Sequence, residues 1–171
     1  SRGRVYLDPR WAICPSGGLD KVLSFASLFA GINLNIVALC DYGKGDKGKI
    51  ERLRQSQILA TEKVLTAADF TDKAESDIED LFGADFYCNL VSQSLGLTDE
   101  LKITATSAAE ADSKTERLVK QVEAACRTLP PETPEFGHFV PANWLLRHPE
   151  LVDDDTDSFN ESLDRFEAVF K

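Results

Sequence analysis

Two rhythms of apolar residues run through the chain. Residues 36–40, Ile-Val-Ala-Leu-Cys, form an unbroken apolar run that ends abruptly on Asp41 and a glycine-containing loop. A run with no polar alternation predicts a strand covered on both faces, as in a parallel sheet flanked by helices. Upstream, Trp11-Ala-Ile-Cys14 is a shorter run closed by Pro15-Ser16-Gly17-Gly18, which reads as a strand followed by a turn. Between the two, Leu19-Asp20 opens a stretch with Val22, Phe25, Ala26, Leu28 and Phe29 at helical spacing, and Gly31 is its expected stop. The next helix is expected over residues 47–59, with Ile50, Leu53 and Ile58 inward and Glu51, Arg52 and Arg54 outward. Residues 62–66 read as a further short strand.

Strand, helix, strand, helix, strand is the order that predicts an α/β fold with a central, mostly parallel sheet flanked by helices and joined by right-handed crossovers. Asp77-Ile-Glu79-Asp80 then begins a helical region running through Tyr87, Leu90, Val91 and Leu95 to Gly96. Residues 97–112 are weakly patterned and read as a loop or a short turn of helix. Residues 113–129 form an amphipathic helix with Leu118, Val119, Val122, Ala125 and Cys126 on its buried side, and Pro130-Pro131-Glu132-Thr133-Pro134 ends it. Extra C-terminal helices are expected over residues 142–147, with Pro141 at the start, and over 159–170, buried through Leu163, Phe166, Val169 and Phe170. The whole is one domain, with its core in about residues 11–96 and a helical C-terminal part over about 113–171.

With 171 residues the chain has room for a sizeable core. No apolar stretch is long enough to span a bilayer and no signal-peptide pattern opens the chain, so a cytoplasmic protein without a membrane partner is expected. The absence of any methionine, even at position 1, predicts a piece of a longer protein. A net charge of −10 argues against a surface for non-specific nucleic-acid binding, which would be basic. It does not argue against a nuclease, because bound divalent ions reverse the local field. Part of the negative charge lies in Asp153-Asp154-Asp155-Thr156-Asp157, a solvated loop by its composition. Cys14, Cys40, Cys88 and Cys126 contain no Cys-x-x-Cys pair and read as small hydrophobes in a reducing compartment. With only His138 and His148 beside them, they do not suggest zinc.

The candidate chemistry is acidic. Ligands in open α/β sheets gather beyond the carboxyl ends of the strands, where Asp41 falls. An aspartate there serves a metal or phosphate site, or simply starts the next turn, and position alone does not decide. Asp77, Glu79 and Asp80 follow the next strand after a short polar connection, although acids in a first turn also suit the helix dipole. Neighbouring strand ends lie about 5 Å apart, so carboxylates from successive ends can converge. Such oxygens suit Mg2+ or Mn2+, and two such ions can clamp the attacking and leaving oxygens of a phosphodiester. Gly17-Gly18 belongs to neither phosphate-loop fingerprint and reads as a tight turn, with Lys21 solvated. His138 beside Pro141 reads as a loop-fixing hydrogen bonder. Ser16 and Ser24 lack a histidine partner for a hydrolytic triad.

Trp11-x-Ile-Cys-Pro-x-Gly-Gly-x-Asp-Lys-Val22, then Leu39-Cys-Asp41, then Ala74-Glu-Ser-Asp77-Ile-Glu79-Asp80-Leu-Phe82 resemble the Toprim domain of the OLD (overcoming lysogenization defect) family nucleases. Phe136-Gly-His138-Phe-Val-Pro141-Ala142-Asn-Trp144 and Leu163-Asp-Arg-Phe166-Glu-x-x-Phe170 are similar to the tail of that domain, so the likeness spans nearly the whole chain. The resemblance implies a Mg2+- or Mn2+-dependent DNA endonuclease or nickase domain at the C-terminus of a larger enzyme. An upstream ABC-type ATPase of the same parent would be the only user of ATP, and a homodimer would suit the family. Carried over by position, Asp41 would be the strand-end metal ligand and Asp77 and Glu79 the acid-x-acid pair for a second ion. Lys120 would neutralise charge developing on the phosphate.

Two positions depart from the family pattern. The family's first strand carries a Glu-Gly, and Arg4-Val5-Tyr6-Leu7 is not that strand; it is expected to have been cut away with the parent. The family's second acid, two residues after the first, is here Gly43, which leaves Asp46 to substitute from the loop, with Asp80 as a further candidate ligand. The rival expectation is a catalytically degenerate Toprim-like module for oligomerisation or regulation of its parent. A phosphatase is disfavoured by the absence of a D-x-D-x-[TV] run.

Overall fold

The computed structural model describes residues 3–29, 34–152 and 157–171, the side chain of residue 158 excepted. The expected stop at Gly31 and the acidic run at 153–155 lie outside the described residues. The chain is a mixed α/β protein dominated by helices. Strands β1 (Ala38–Cys40) and β2 (Val64–Thr66) pair in parallel, with Ala38 opposite Val64, Leu39 opposite Leu65 and Cys40 opposite Thr66. Helix α1 (Val22–Phe29) precedes β1, and α2 (Lys47–Arg54) makes the crossover to β2. Downstream come α3 (Ala84–Ser94), α4 (Ala105–Ala111), α5 (Leu118–Cys126), α6 (Phe139–Arg147) and α7 (Asp157–Phe170).

The sheet is smaller than the pattern predicts. Residues 11–14 form no strand, and Ile13 is 79% exposed. Apolar character alone does not make a strand: its backbone donors and acceptors need a neighbour to pair with, and no described strand lies beside them. Nor is the 36–40 run covered on both faces. Its strand begins only at Ala38, Val37 is 41% exposed, and Cys40 alone is buried. Cys40 packs with Ala26, Ile50, Leu53, Leu59 and Val64 in a small core on one side of the sheet. Helix α1 contributes only Ala26 to that core as a buried residue, while Phe25 and Leu28 are exposed. Helix α2 stops at Arg54, so the helical phase is lost beyond it: Ile58 turns outward and Leu59 goes in. Arg52 and Arg54 in its last turn suit the negative end of the helix dipole.

The main core is helical. Phe86, Leu90 and Val91 of α3 meet Leu118 and Val122 of α5, with Ala108 of α4 and Phe159 of α7 closing it. The buried side of α5 is the predicted one, Cys126 being half-buried. The helix starts at Leu118 rather than 113 because the backbone before it faces another segment: the Glu116 carbonyl accepts from Lys73, and its carboxylate accepts from the Ala74 amide. Within the weakly patterned 97–112 stretch, Thr104 and Ser107 form a reciprocal cap that starts α4. The helical region expected from 77 is broken in two, a 3-10 turn over Ile78–Phe82 and then α3. The break is Gly83, at φ 77°, and a Cβ there would lie 2.9 Å from Nη1 of Arg165 on α7. Helix α7 buries Phe159 and Ser162, while Leu163, Phe166 and Val169 are half-buried and Phe170 is exposed. It docks through the edge-on pair Phe82–Phe166 (ring centroids 5.1 Å apart) and the Ser162 hydroxyl, which donates to the Phe82 carbonyl. Helix α6 starts at Phe139, three residues before the expected start, with Pro141 tolerated in its first turn. Its outer face presents Phe139 and Leu146, 80% and 81% exposed. No helix among the described residues is long and apolar enough to cross a membrane.

Truncation should separate the two kinds of leucine. Leu118→Ala, at a position 1% exposed, is expected to cost about 3 kcal/mol in denaturant unfolding, and Leu146→Ala less than about 0.5 kcal/mol.

Candidate functional site

Beyond β1 the chain turns alongside the segment that follows β2. Tyr42 and Ser76 form an antiparallel bridge, each amide donating to the other's carbonyl at 2.8 Å. This bridge places Asp41 beside the start of the 3-10 turn. The Asp41 carboxylate accepts from the Ile78 amide at 2.9 Å and so satisfies one of the free donors of that turn. Asp41 therefore lies beside the turn that carries Asp77 and Glu79. Of the two readings of Asp41, the turn-starting one is the one this hydrogen bond supports.

The carboxylates of this cluster differ sharply in surroundings. Asp77 is buried, its side chain 2% exposed. The Arg117 guanidinium holds it with one edge, Nε at 2.9 and 3.0 Å from the two carboxylate oxygens and Nη2 at 2.5 Å from Oδ1. Burial still pushes the Asp77 carboxyl above its usual range, with Arg117 pulling it down and Asp41 and Asp80 adding to the rise. Asp80, its side chain 0% exposed, accepts from the Asp77 amide, the Leu118 amide and the Lys73 ammonium. Both of its oxygens are thus committed to protein donors, a structural use rather than an open ligand. Glu79 is half-buried and makes no ion pair among the described residues; burial first, then Asp41 and Asp77, raise its carboxyl. Asp46 accepts from the Gly43 amide at 3.1 Å and closes the loop ahead of α2.

The cations paired with these acids are Arg117 and Lys73, whereas Lys120 is paired elsewhere. The Lys120 ammonium binds Glu123 at 2.9 Å on the same helix, a pair half open to solvent. Glu123 also takes His138 Nε2 at 3.0 Å, so His138 ties the start of α6 to α5, in keeping with a loop-fixing role. Nothing in the local pattern points to Arg117. It stands at the N-cap of α5, where a cation is disfavoured by the helix dipole, and its partner is forty positions away in sequence. Tyr87 was equally hidden. Its hydroxyl is buried with no hydrogen-bond partner among the described residues, and burial and then the charge of Glu79 push the phenol up. The Cys40 and Cys88 thiols are unreactive by environment: burial pushes Cys40 up to about 11 and Cys88 to about 12.

Among the described residues no group of three or more His, Cys, Asp or Glu side chains is arranged to hold a metal ion. Asp41 and Glu79 make no ion pair among those residues, whereas Asp77 is paired with Arg117. No family model matches the chain, and neither a curated protein nor a solved structure matches it.

Because the folded protein raises the Glu79 carboxyl, stability from this group is present below its ordinary value of 4.5 and is lost as pH rises through the folded value. Glu79→Gln should therefore unfold at higher denaturant than the parent at pH 7, with the gap closing below about pH 4.5.

Proposed function

We propose that this chain carries the acidic rim of a Toprim-like, metal-dependent phosphodiester-cleaving site, part of a DNA nuclease or nickase coupled to an upstream ABC-type ATPase. The supporting observation is the meeting of Asp41, at the end of β1, with Asp77 and Glu79, which follow β2, through the Tyr42–Ser76 bridge and the Asp41–Ile78 hydrogen bond. Mg2+ or Mn2+ held there would supply Lewis-acid stabilisation of the cleaved phosphate. Asp41 and Glu79 would provide its oxygen ligands, and Asp77 would join once its guanidinium moves. Burial of Asp77 and the Asp80 network hold the backbone of the turn in place. Lys120, bound to Glu123 in this structure, would need to leave that pair to reach a phosphate.

One observation favours the non-catalytic reading: Arg117 and Lys73 already neutralise the two buried aspartates. The chain would then be a Toprim-like module serving assembly or regulation of its parent. Plasmid nicking by the parent protein separates the two. On the nuclease reading, Mg2+- or Mn2+-dependent cleavage falls about 100-fold or more in Asp41→Ala and in Glu79→Ala. A folded parent that does not cleave, or cleavage unchanged in both variants, overturns that reading.

A further inference from the structure

Helix α6 carries apolar side chains on two sides. On the inner side Pro141 is buried, and Trp144 and Leu145 pack against the main core. On the outer side Phe139, Ala142, Asn143 and Leu146 are exposed. Their spacing of three, four and seven residues puts all four on one face, a ridge about 10 Å long. Both ends of the helix are fixed, so it does not roll to hide this ridge. His138 Nε2 meets Glu123 of α5 at 3.0 Å ahead of the first turn. After the last turn the His148 ring stacks on Trp144, with centroids 4.1 Å apart.

The charges around the ridge are divided by end. Arg147, exposed, follows it, while Glu132 and Glu135, both exposed, lie on the segment that leads into the helix. None of these three is in an ion pair among the described residues. Glu150, beyond Arg147, is taken by His148 at 2.8 Å. Asn143, in the middle, has an amide that both donates and accepts. A surface with acids at one end, a base at the other and an amide between them is its own complement when a second copy is turned end for end. Phe139 of each copy then lies against Leu146 of the other, and Arg147 of each approaches Glu132 and Glu135 of the other. The two helix dipoles run in opposite directions, which also favours the arrangement.

We propose that α6 is a self-association surface, pairing antiparallel with the α6 of a second copy about a two-fold axis beside Asn143, independently of the nuclease reading. Asn143 sets the register, because a slipped pairing would bury its amide without a partner. The net charge of −10 on each copy opposes the approach. At physiological ionic strength, however, charges more than about 8 Å apart are largely screened, whereas groups in contact are not. A ridge of two helical turns is small beside the roughly 800 Å2 that each partner gives a standard interface. The pairing is therefore weak, with a dissociation constant on the order of 100 μM, and dilute protein is monomeric.

The test is sedimentation equilibrium of the full chain at neutral pH, from about 10 μM to about 1 mM, with circular dichroism to show that each variant is folded. The parent should pass from monomer to dimer across this range, and Phe139→Glu and Leu146→Glu should each weaken association about tenfold or more. Arg147→Glu alone, and Glu132→Lys/Glu135→Lys alone, should each associate about tenfold more weakly than the parent. An equimolar mixture of these two charge variants should regain association, because every contact across the mixed pair then joins opposite charges. A parent that stays monomeric to the top of the range overturns the proposal, as does association unchanged in both Phe139→Glu and Leu146→Glu. Association lost in those two variants but not recovered in the mixture overturns the antiparallel pairing.

Discussion

The structure depends on how two buried aspartates are neutralised. Asp77 and Asp80 stand three residues apart in one 3-10 turn, where an unpaired carboxylate would be strongly disfavoured by loss of its hydration. Each is answered by a cation from elsewhere: Arg117 from the start of α5, and Lys73 from the segment before the turn. Asp80 also accepts from the Leu118 amide, so a carboxylate lies at the positive end of the α5 dipole. This network fastens the rim of the small sheet to the helical core. Without it the turn after β2 and the start of α5 would each carry unmet polar groups in the interior.

The same network shapes the chemistry. Acids used for fastening are not free for ligands, and Asp80 is wholly committed in that way. Asp41 accepts one hydrogen bond from the turn and keeps its exposed position, whereas Glu79 is half-buried and makes no ion pair among the described residues. The acids thus grade from structural to available across a single turn. Arg117 stands at the boundary between them, through its contact with Asp77.

The parts legible in the sequence were those with local causes. The apolar period of α5 located its buried face. What the sequence concealed was set by distant partners. Trp11 to Cys14 has the composition of a strand but no strand to pair with among the described residues, and Val37 has the character of a covered residue yet is 41% exposed. Lys120 has the charge and helix placement of a phosphate-facing lysine, yet Glu123 three residues along holds it. Arg117 looks like an ordinary helix-start residue until the fold brings Asp77 against it, and no spacing rule links positions that far apart.

The outward face of α6 has a consequence for how copies of the molecule behave toward one another in solution. Phe139 and Leu146 offer water an oily stripe on a particle whose net charge at neutral pH is −10. Mutual repulsion keeps such particles dispersed. Near pH 4.7, where the charge balance vanishes, that repulsion is gone and the stripe remains, so colloidal stability should be poorest there and should recover as the solution is made more alkaline.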